Sequence, residues 1–544
     1  MPNPSTTVRA GLALWAAVLA TIVIGPLRHK GWVLLLDWVD GPRRDQLAKA
    51  FNGARLPAGP LYHLVGGLLQ RTTGATAGWL FPWLCLVAAG WGAARLVGGG
   101  TVAKFVAVTA YLWNPFVQER FYSGQMAVLA GYAVLPYLAR AAWAPPKGQR
   151  WWLGPLSVGG WWALATACTV HLAVIGGVVV LGGAAGAFAG GETRVLHRVG
   201  LSGAVAALAT GVWLAPMAAT APRSGGGAVL DSFLTRGDRV LGLAVGVLTQ
   251  RGFWRPSLGE PGADSASWWP SVAVLLVVAA LLGLVVAAGR GGLGCALPAA
   301  SCLVFGWLGA QGVAGPFGGS YRWFVSHVAL AGIMREPGKF IALISLASTV
   351  GLAALADGAA SRLRRLARYR LAQPALALAA VVVILAPTAL APHFGGGVHG
   401  RLRAVRYPEQ WAQLRRALDA ETAVAGEAAG VVALPWTGYL NPGFTDERIV
   451  AHPAPAYFGR FVEVSNDAQL GGLAGDGRSR RIGAALREPD GGRDLTAMGI
   501  RFVLDLSGDG AAALSDQAWR RVATVSGAAL YRYDPAAVNG SGEG

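Results

Sequence analysis

The sequence predicts a polytopic α-helical membrane protein with a hydrophilic α/β domain at its C-terminal end. Of its 544 residues, 54% are hydrophobic and only 14% are charged, and the mean hydropathy is +0.45. Soluble domains carry roughly 25% charged residues, so a soluble chain is excluded. Apolar runs of roughly 17–25 residues, the length that spans ~30 Å of hydrocarbon as a helix, recur through residues 1–397.

The apolar runs predict about 11 transmembrane helices. They are placed near 8–27, 79–98, 102–118, 125–143, 155–169, 171–190, 197–218, 268–289, 292–313, 337–357 and 373–391. The stretch 155–190 fits either two short helices or one long bent helix.

The basic loops predict the orientation of these spans. The segment SRLRRLARYR at 361–370 places five arginines between two spans, and such loops face the cytoplasm. Counting spans from it puts the N-terminus in the cytoplasm and the C-terminal domain outside the cell. The long loops 28–78, 219–267 and 314–336 then face outward in a multi-pass protein of the cell membrane.

The residues that follow the spans form a separate domain by composition. Residues 1–397 contain eleven Asp and Glu, whereas 398–544 contain seventeen. Helical spacing at 406–418 and strand-like runs at 431–436 and 500–506 predict a soluble α/β fold there. The predicted division is therefore 1–397 for the membrane domain and 398–544 for the extracytoplasmic domain.

The first outer loop holds the best candidates for acid–base chemistry. In the predicted topology, nine of the eleven acids of the membrane domain face outward. Asp37 lies in the apolar stretch WVLLLDWVD rather than in a polar loop, and Asp40 follows three residues later. A partly desolvated carboxylate suits a general base that takes a proton from a hydroxyl. The alternative is a local ion-pair cluster with Arg43 and its neighbours.

A second candidate segment, WNPFVQERFYSGQ, joins the third and fourth spans. It presents Glu119, Arg120, Tyr122 and Gln125 at the outer mouth of the next helix. Sugar hydroxyls need paired hydrogen-bond donors and acceptors, which these side chains supply. Two alternatives stay open: Glu119 and Arg120 form an interfacial ion pair, and Gln125 caps a helix.

A third candidate segment precedes the tenth predicted span. Arg335 and Lys339 lie beside the start of that helix, where free amides and the helix dipole favour an anion such as phosphate. Arg322 adds a cation, and Trp323 and Glu336 add a flat ring and an acceptor for a sugar. The alternative is that these side chains reach to the interface and only anchor the helix.

Composition and motifs exclude several other functions. The net charge of +18 is spread over loops that flank spans, which is typical of contacts with membrane lipids and does not indicate nucleic-acid binding. The four cysteines lie inside predicted spans, where we expect them to pack as small apolar side chains. The sequence contains no nucleotide-binding G-x-x-x-x-G-K-[ST], no H-E-x-x-H and no G-x-S-x-G motif.

Four segments carry a resemblance to a known family. LLLDWVDGP (34–42), WNPFVQERFYSGQ (113–125) and MREPGKF (334–340), with AMGIRFVLDL (497–506) in the tail, resemble the GT-C superfamily of membrane glycosyltransferases. They are similar to uncharacterised multispan members from bacteria and archaea. The resemblance implies sugar transfer, with inversion, from a polyprenyl-phosphate-linked donor to a cell-envelope glycan or lipid acceptor on the outer face.

The resemblance also implies roles for individual residues. The base falls on Asp37 first and Asp40 second. Arg335 and Lys339, with Arg322, would hold the donor phosphate. The sugar or acceptor contacts fall on Glu119, Arg120, Tyr122, Gln125, Trp323 and Glu336. This chain has D-W-V-D where some members have D-x-D, so no cofactor is certain and a divalent cation stays an alternative.

Two other classes of function remain open from the sequence. A transporter or flippase for a lipid-linked or small polar substrate would carry ionisable residues at mid-membrane and two similar halves, and only His171 fits that description. A non-catalytic envelope-assembly protein would keep the Asp37 and Arg335 clusters far apart.

Overall fold

The structure is a computed structural model of the chain. It describes residues 4–43, 59–144, 150–220, 227–254, 269–328, 331–366, 375, 378–382, 402–425, 429–446, 448–459, 461–466, 477–488, 491–508 and 518–534. The predicted span at 373–391 and the predicted domain boundary at 397 therefore fall largely outside the described residues.

The chain divides into two compact units. The first comprises Met1–Arg28, Gln46–Thr72 and Trp79–Arg403, and the second comprises His29–Asp45, Thr73–Gly78 and Ala404–Gly544. The second unit thus contains both the C-terminal domain and a segment of the first predicted outer loop. The division at 397 stays a prediction. The sequence composition did not indicate that part of the first predicted outer loop belongs to the same unit as the C-terminal domain.

The first unit is helical. In chain order its helices are α1 (Pro4–Ile24), α2 (Pro60–Thr73), α3 (Ala77–Leu96, whose first two residues belong to the second unit), α4 (Thr101–Leu112), α5 (Pro115–Tyr122), α6 (Met126–Trp143), α7 (Leu153–Cys168), α8 (His171–Ala189), α9 (Val195–Thr220), α10 (Gly227–Ser232), α11 (Gly242–Leu248), α12 (Trp269–Gly291), α13 (Leu293–Gln311), α14 (Gly318–His327) and α15 (Ile341–Leu366). Short 3-10 turns at Ala331–Arg335 and Pro337–Phe340 lead into α15.

Eight helical stretches in the described part of the chain are long and apolar enough to cross a membrane. They match eight of the predicted spans, so the polytopic helical class is confirmed. The predicted spans at 102–118 and 155–169 correspond to the shorter helices α4 and α7. The total of 11 and the orientation of the termini stay predictions.

Two predicted regions have a more definite structure than the sequence indicated. The stretch 155–190 forms two helices, α7 and α8, which are separated at Thr169 and Val170. The segment 28–78, a predicted outer loop, contains a 14-residue helix, α2.

A local signal explains the short helix α5. The side chain of Asn114 accepts a hydrogen bond from the Val117 amide (3.0 Å), and Pro115 occupies the first helical position, which is the arrangement of a capped helix start. All eight residues of α5 are buried. Its polar side chains, including Glu119 and Arg120, therefore need partners inside the protein.

The second unit contains a five-stranded sheet in the order β4-β1-β5-β7-β6. Its strands are β1 (Gly430–Leu434), β4 (Val462–Glu463), β5 (Ile500–Asp505), β6 (Trp519–Val525) and β7 (Ala528–Tyr533). β1 pairs in parallel with β4 and β5, and β7 pairs antiparallel with β5 and β6. β2 (Tyr439–Leu440) and β3 (Val450–Ala451) form a separate antiparallel pair.

Helices cover both faces of this sheet. Alternate strand residues point to opposite faces: Val431 packs with α16 (Glu409–Ala425) and α17 (Ala454–Phe458), whereas Val432 packs with α18 (Gly477–Ala485) and α19 (Gly491–Ala497). The predicted C-terminal α/β domain is confirmed.

Candidate functional site

The two aspartates of the first predicted loop differ in exposure. The side chain of Asp37 is exposed, and the hydroxyl of Tyr439 donates a hydrogen bond to Asp37 Oδ1 at 2.9 Å. A general base must reach the proton that it removes. Asp37 is therefore the accessible carboxylate of the pair.

Asp40, in contrast, is buried, with 3% of its surface exposed. Trp38 Nε1 donates to Asp40 Oδ2 (3.2 Å), and the Tyr407 hydroxyl donates to the Asp40 backbone oxygen (2.5 Å). A Cβ on Gly78 would overlap Asp40 Oδ2, so glycine lets the carboxylate approach the first turn of α3. An anion is stabilised at a helix start, which gives Asp40 a structural role; its catalytic role stays a prediction.

The first unit brings together four predicted site residues that are far apart in sequence. Arg120, at the end of α5, donates to Gln125 Oε1 (2.7 Å), and Gln125 Nε2 donates to Glu336 Oε2 (2.9 Å). Glu336 Oε2 also lies 3.2 Å from Lys339 Nζ and 3.9 Å from Arg120 Nη1. Arg120 is only 1% exposed. Removing one member of such a buried set is costly.

The charges around Glu336 determine whether its carboxyl is ionised. Burial by itself would raise the pKa of this carboxyl, but the adjacent cations Lys339 and Arg120 outweigh burial and lower the pKa to about 2. Glu336 is therefore a carboxylate at neutral pH, and Lys339 acts as its ammonium partner.

His171 extends this cluster. Lys339 Nζ lies 2.8 Å from His171 Nε2, and His171 Nδ1 lies 2.9 Å from Thr169 Oγ1. An ammonium only donates hydrogen bonds, so Nε2 is the acceptor. The imidazole is then neutral, carries its proton on Nδ1 and donates it to Thr169. A partly buried histidine with both nitrogens engaged holds the ammonium in place.

Among the described residues around α5, Glu119 is the acid whose carboxylate has the fewest hydrogen bonds. It is 3% exposed, and neither carboxylate oxygen has a hydrogen-bond partner among the described residues. Burial raises its pKa to about 7, although Arg120, Arg251 and the nearby Gly252 amide act to lower it. Glu119 therefore keeps its proton to a higher pH than an ordinary carboxyl does.

The neighbouring Gln118 shares this feature. Its side chain is 3% exposed, and neither its amide nitrogen nor its amide oxygen has a partner within the described ranges. Buried polar groups are normally satisfied. Gln118 and Glu119 together therefore mark a place where a polar ligand or water would be accommodated.

Arg251 forms a buried ion pair beside Glu119. Its guanidinium lies 2.8 Å from Asp238 Oδ2. Burial lowers the pKa of Arg251, while Asp238 and Glu119 raise it. The Arg251–Asp238 pair is neutral by itself, so it does not balance the excess cations around Glu336.

The remaining predicted residues lie outside this hydrogen-bonded set. Arg335 is exposed and stacks over the Phe233 ring at 5.1 Å. Arg322 forms an ion pair with Asp231 (2.6 Å), so its charge is already matched. Trp323 is exposed and stacks on His327. Tyr122 is buried in α5.

The described residues contain no group of three or more His, Cys, Asp or Glu side chains that could hold a metal ion. Oxygen-rich clusters of that kind bind divalent cations.

Sequence reasoning missed three of these positions. From the sequence, His171 is only an ionisable residue in an apolar run, and Arg251 and Tyr439 lie in no recognisable motif. One signal was available for His171: a second ionisable residue, Lys339, begins another apolar run, and two buried polar groups often pair.

Replacing His171 with Leu should destabilise the protein by roughly 1–3 kcal/mol, because one N–H of the buried Lys339 ammonium loses its acceptor. His171→Gln, which keeps an acceptor, should cost less. Thermal unfolding of the purified protein in detergent, followed by tryptophan fluorescence, measures both. Equal losses for the two variants would contradict the hydrogen-bonding role of His171.

The similarity of this chain to known proteins lies in its fold. No family model and no curated protein matches the sequence. Among solved structures, the chain is similar to the arabinofuranosyltransferase AftD from Mycobacteria (a cryo-EM structure of the R1389S mutant), with 15% identity and a TM-score of 0.59 over 97% of this chain and 42% of that one. The chain thus spans about two-fifths of the length of that protein.

Two structures of ArnT from Cupriavidus metallidurans are also similar. The form bound to undecaprenyl phosphate has 13% identity and a TM-score of 0.48, with 96% and 97% of the two chains covered. The apo form has 12% identity and the same TM-score, with 97% and 98% covered. At these identities the similarity concerns the fold alone, and the AftD match, with the described helices and C-terminal sheet, shows that the chain shares the fold of that part of AftD.

Proposed function

We propose that the protein is an integral membrane glycosyltransferase that uses a polyprenyl-phosphate-linked sugar. The observation that supports this most directly is the charge of the cluster around Glu336. Arg120 and Lys339 share the Glu336 carboxylate, and the exposed Arg335 adds a third positive charge beside Lys339. Arginine and lysine bind phosphate through charge-assisted hydrogen bonds, so this concentration of positive charge fits a phosphate.

The position of the cluster favours a lipid-linked phosphate over a soluble one. Lys339 lies in the first turn of the candidate span Pro337–Leu363, and Arg335 lies just before it. This is the depth of the lipid headgroups, where a polyprenyl chain places its phosphate. The sequence also contains no nucleotide-phosphate motif.

The proposed reaction is a single displacement. Asp37 takes the proton from an acceptor hydroxyl, whose oxygen attacks the anomeric carbon of the sugar. The bond from that carbon to the phosphate oxygen breaks, and polyprenyl phosphate leaves with the electron pair. Cations stabilise the developing negative charge. One displacement inverts the anomeric configuration, and the acceptor is a cell-envelope glycan or lipid on the outer face.

Polar side chains near Arg120 would bind the sugar. Gln118, Glu119 and Gln125 offer donors and acceptors in one buried region, which a ring of hydroxyls requires. AftD is named an arabinofuranosyltransferase, so a polyprenyl-phosphate pentofuranose is the first donor to test, with hexose donors beside it.

Replacing Arg335 with Gln should weaken binding of polyprenyl phosphate by roughly 10- to 100-fold, since a hydrogen bond to a charged group contributes ~1.5–3 kcal/mol. Arg335 is exposed, so the fold should persist. Binding is measured in nanodiscs by the quenching of tryptophan fluorescence, with polyprenyl phosphate, polyprenol and inorganic phosphate as separate ligands.

The matched control is Arg290→Gln, because Arg290 pairs with Asp357 at 3.0 Å, away from the cluster. It should bind polyprenyl phosphate as the unchanged protein does. Equal binding of polyprenol and polyprenyl phosphate, or an Arg335→Gln variant with unchanged affinity, would contradict the phosphate site. Tighter binding of inorganic phosphate than of the lipid would indicate a soluble donor.

A further inference from the structure

The backbone of the first predicted loop is part of the fold of the C-terminal domain. Trp32 and Val405 exchange two backbone hydrogen bonds, of 2.8 and 2.9 Å, and the Ala451 amide donates to the Leu36 oxygen at 2.7 Å. Leu34 is fully buried in one apolar cluster with Val405 and its neighbours. Within this unit, residues 32–36 behave as an additional strand-like segment of the domain.

Side chains and close packing fix the other end of the same segment. A Cβ on Gly41 would overlap the backbone carbonyl of Ala456, so the loop lies directly against α17. Arg43 donates two hydrogen bonds to Asp419, both of 2.6 Å, and a third to the Phe458 oxygen at 3.2 Å. Both sides of Asp37 are thus anchored to the domain.

The β2–β3 hairpin makes two contacts that bear directly on Asp37. Its first residue, Tyr439, donates its hydroxyl to Asp37 Oδ1 (2.9 Å). Its last residue, Ala451, holds the backbone oxygen of Leu36, the residue before Asp37. The two strands are paired through Tyr439 and Ala451 themselves. The same strand pair therefore contacts both the backbone beside Asp37 and its carboxylate.

We propose that the C-terminal domain positions the base through this hairpin, with Tyr439 as a positioning residue. The proposal rests on the base role of Asp37 in the proposed function. The hydrogen bond from Tyr439 fixes the orientation of the Asp37 carboxylate, which then accepts the proton of the acceptor hydroxyl. Orientation of a reacting group within a few tenths of an ångström is worth a large part of its catalytic effect. The domain then orients the residue proposed as the base.

The test of Tyr439 is Tyr439→Phe, which removes one hydroxyl and keeps the ring. We expect kcat for sugar transfer to fall about tenfold, with the KM for the donor unchanged, because the phosphate cluster is intact. Tyr533→Phe is the matched control: the same change in the same domain, in β7, where the ring packs on Trp519. In an Asp37→Asn background, Tyr439→Phe should cause no further loss.

The outcomes separate this proposal from the proposed function. If Asp37→Asn is inactive and Tyr439→Phe has the kcat of the unchanged protein, the positioning role is overturned while the base role stands. If Asp37→Asn transfers sugar normally, the base role falls and the positioning role falls with it.

A second measurement needs no transfer assay. Gly41→Val should force the loop away from Ala456, and hydrogen exchange of peptides covering 29–43 should then accelerate at least tenfold in the full-length protein. Polyprenyl phosphate binding should be unchanged. In the unchanged protein the amides of Trp32 and Asp40, which are hydrogen-bonded, should exchange slowly. Fast exchange of this segment before any substitution would overturn the anchoring that the proposal requires.

Discussion

Replacing Asp37 with Asn should lower kcat for sugar transfer by roughly 10²–10⁴-fold, the range that a positioned general base contributes. The amide keeps the size of the side chain and can still accept from Tyr439, so the loop should stay in place. It cannot take up the proton of the acceptor hydroxyl. Transfer from a radiolabelled polyprenyl-phosphate sugar in nanodiscs measures the effect.

Asp40→Asn is the matched comparison. Because Asp40 is buried between Trp38 and Gly78, its replacement should mainly reduce the free energy of unfolding, whereas kcat of the folded fraction should change little. The opposite result, an active Asp37→Asn and an inactive but stable Asp40→Asn, would transfer the base role to Asp40.

Replacing Glu336 with Gln should destabilise the protein by roughly 3 kcal/mol at neutral pH. The folded-state pKa of Glu336 is lowered from 4.5 to about 2, so its carboxylate contributes stability that is fully present above pH 4.5. That contribution is lost as the pH falls through the window from 4.5 to 2. The free energy of unfolding in detergent, measured against pH for both proteins, should therefore converge in acid.

Glu119→Gln should have the opposite effect on the free energy of unfolding: it should stabilise the protein. Burial raises the folded-state pKa of Glu119 from 4.5 to about 7, so the folded protein holds this proton more tightly than the unfolded chain does. Stability therefore falls as the pH rises from 4.5 to 7. The neutral amide avoids this cost, and we expect roughly 3 kcal/mol of stabilisation at pH 8 and none below pH 4.5.

The two variants control each other, since each replaces a buried carboxyl beside Arg120 by an amide. Unfolding curves that shift in the same direction at pH 8 would contradict the assigned charge states. A stabilised Glu119→Gln that transfers sugar poorly would indicate that an unfavourable buried acid is kept for activity, as strained functional sites often are.

Much of the fold was readable from the sequence because its signals are local. Apolar runs predicted eight spans that the structure contains, and Asn114 and Pro115 marked the start of α5. The composition change near 397 and the strand-like runs at 431–436 and 500–506 predicted the α/β domain that the structure confirms. The hydropathy, helix-capping and strand signals each lie within about twenty residues, the length over which hydropathy and periodicity are read.

The arrangement of the site was decided by tertiary structure. Glu119 and Arg120 were expected at an outer surface, and the structure buries both; their role in binding sugar stays a prediction. Arg322 was expected to hold phosphate, and the structure pairs it with Asp231. Burial and pairing depend on which distant helices pack against α5 and α14, and no local pattern carries that information.

By itself, the sequence determined the membrane class, most of the spans and Asp37 as an acid in unusually apolar surroundings. Only the tertiary structure distinguished the exposed Asp37 from the buried Asp40, joined Lys339 to His171, and placed Tyr439 on Asp37. The last contact joins residues 402 positions apart. Such a contact leaves no periodic or compositional trace, because it follows from the packing of the whole unit and not from the local preferences of either residue.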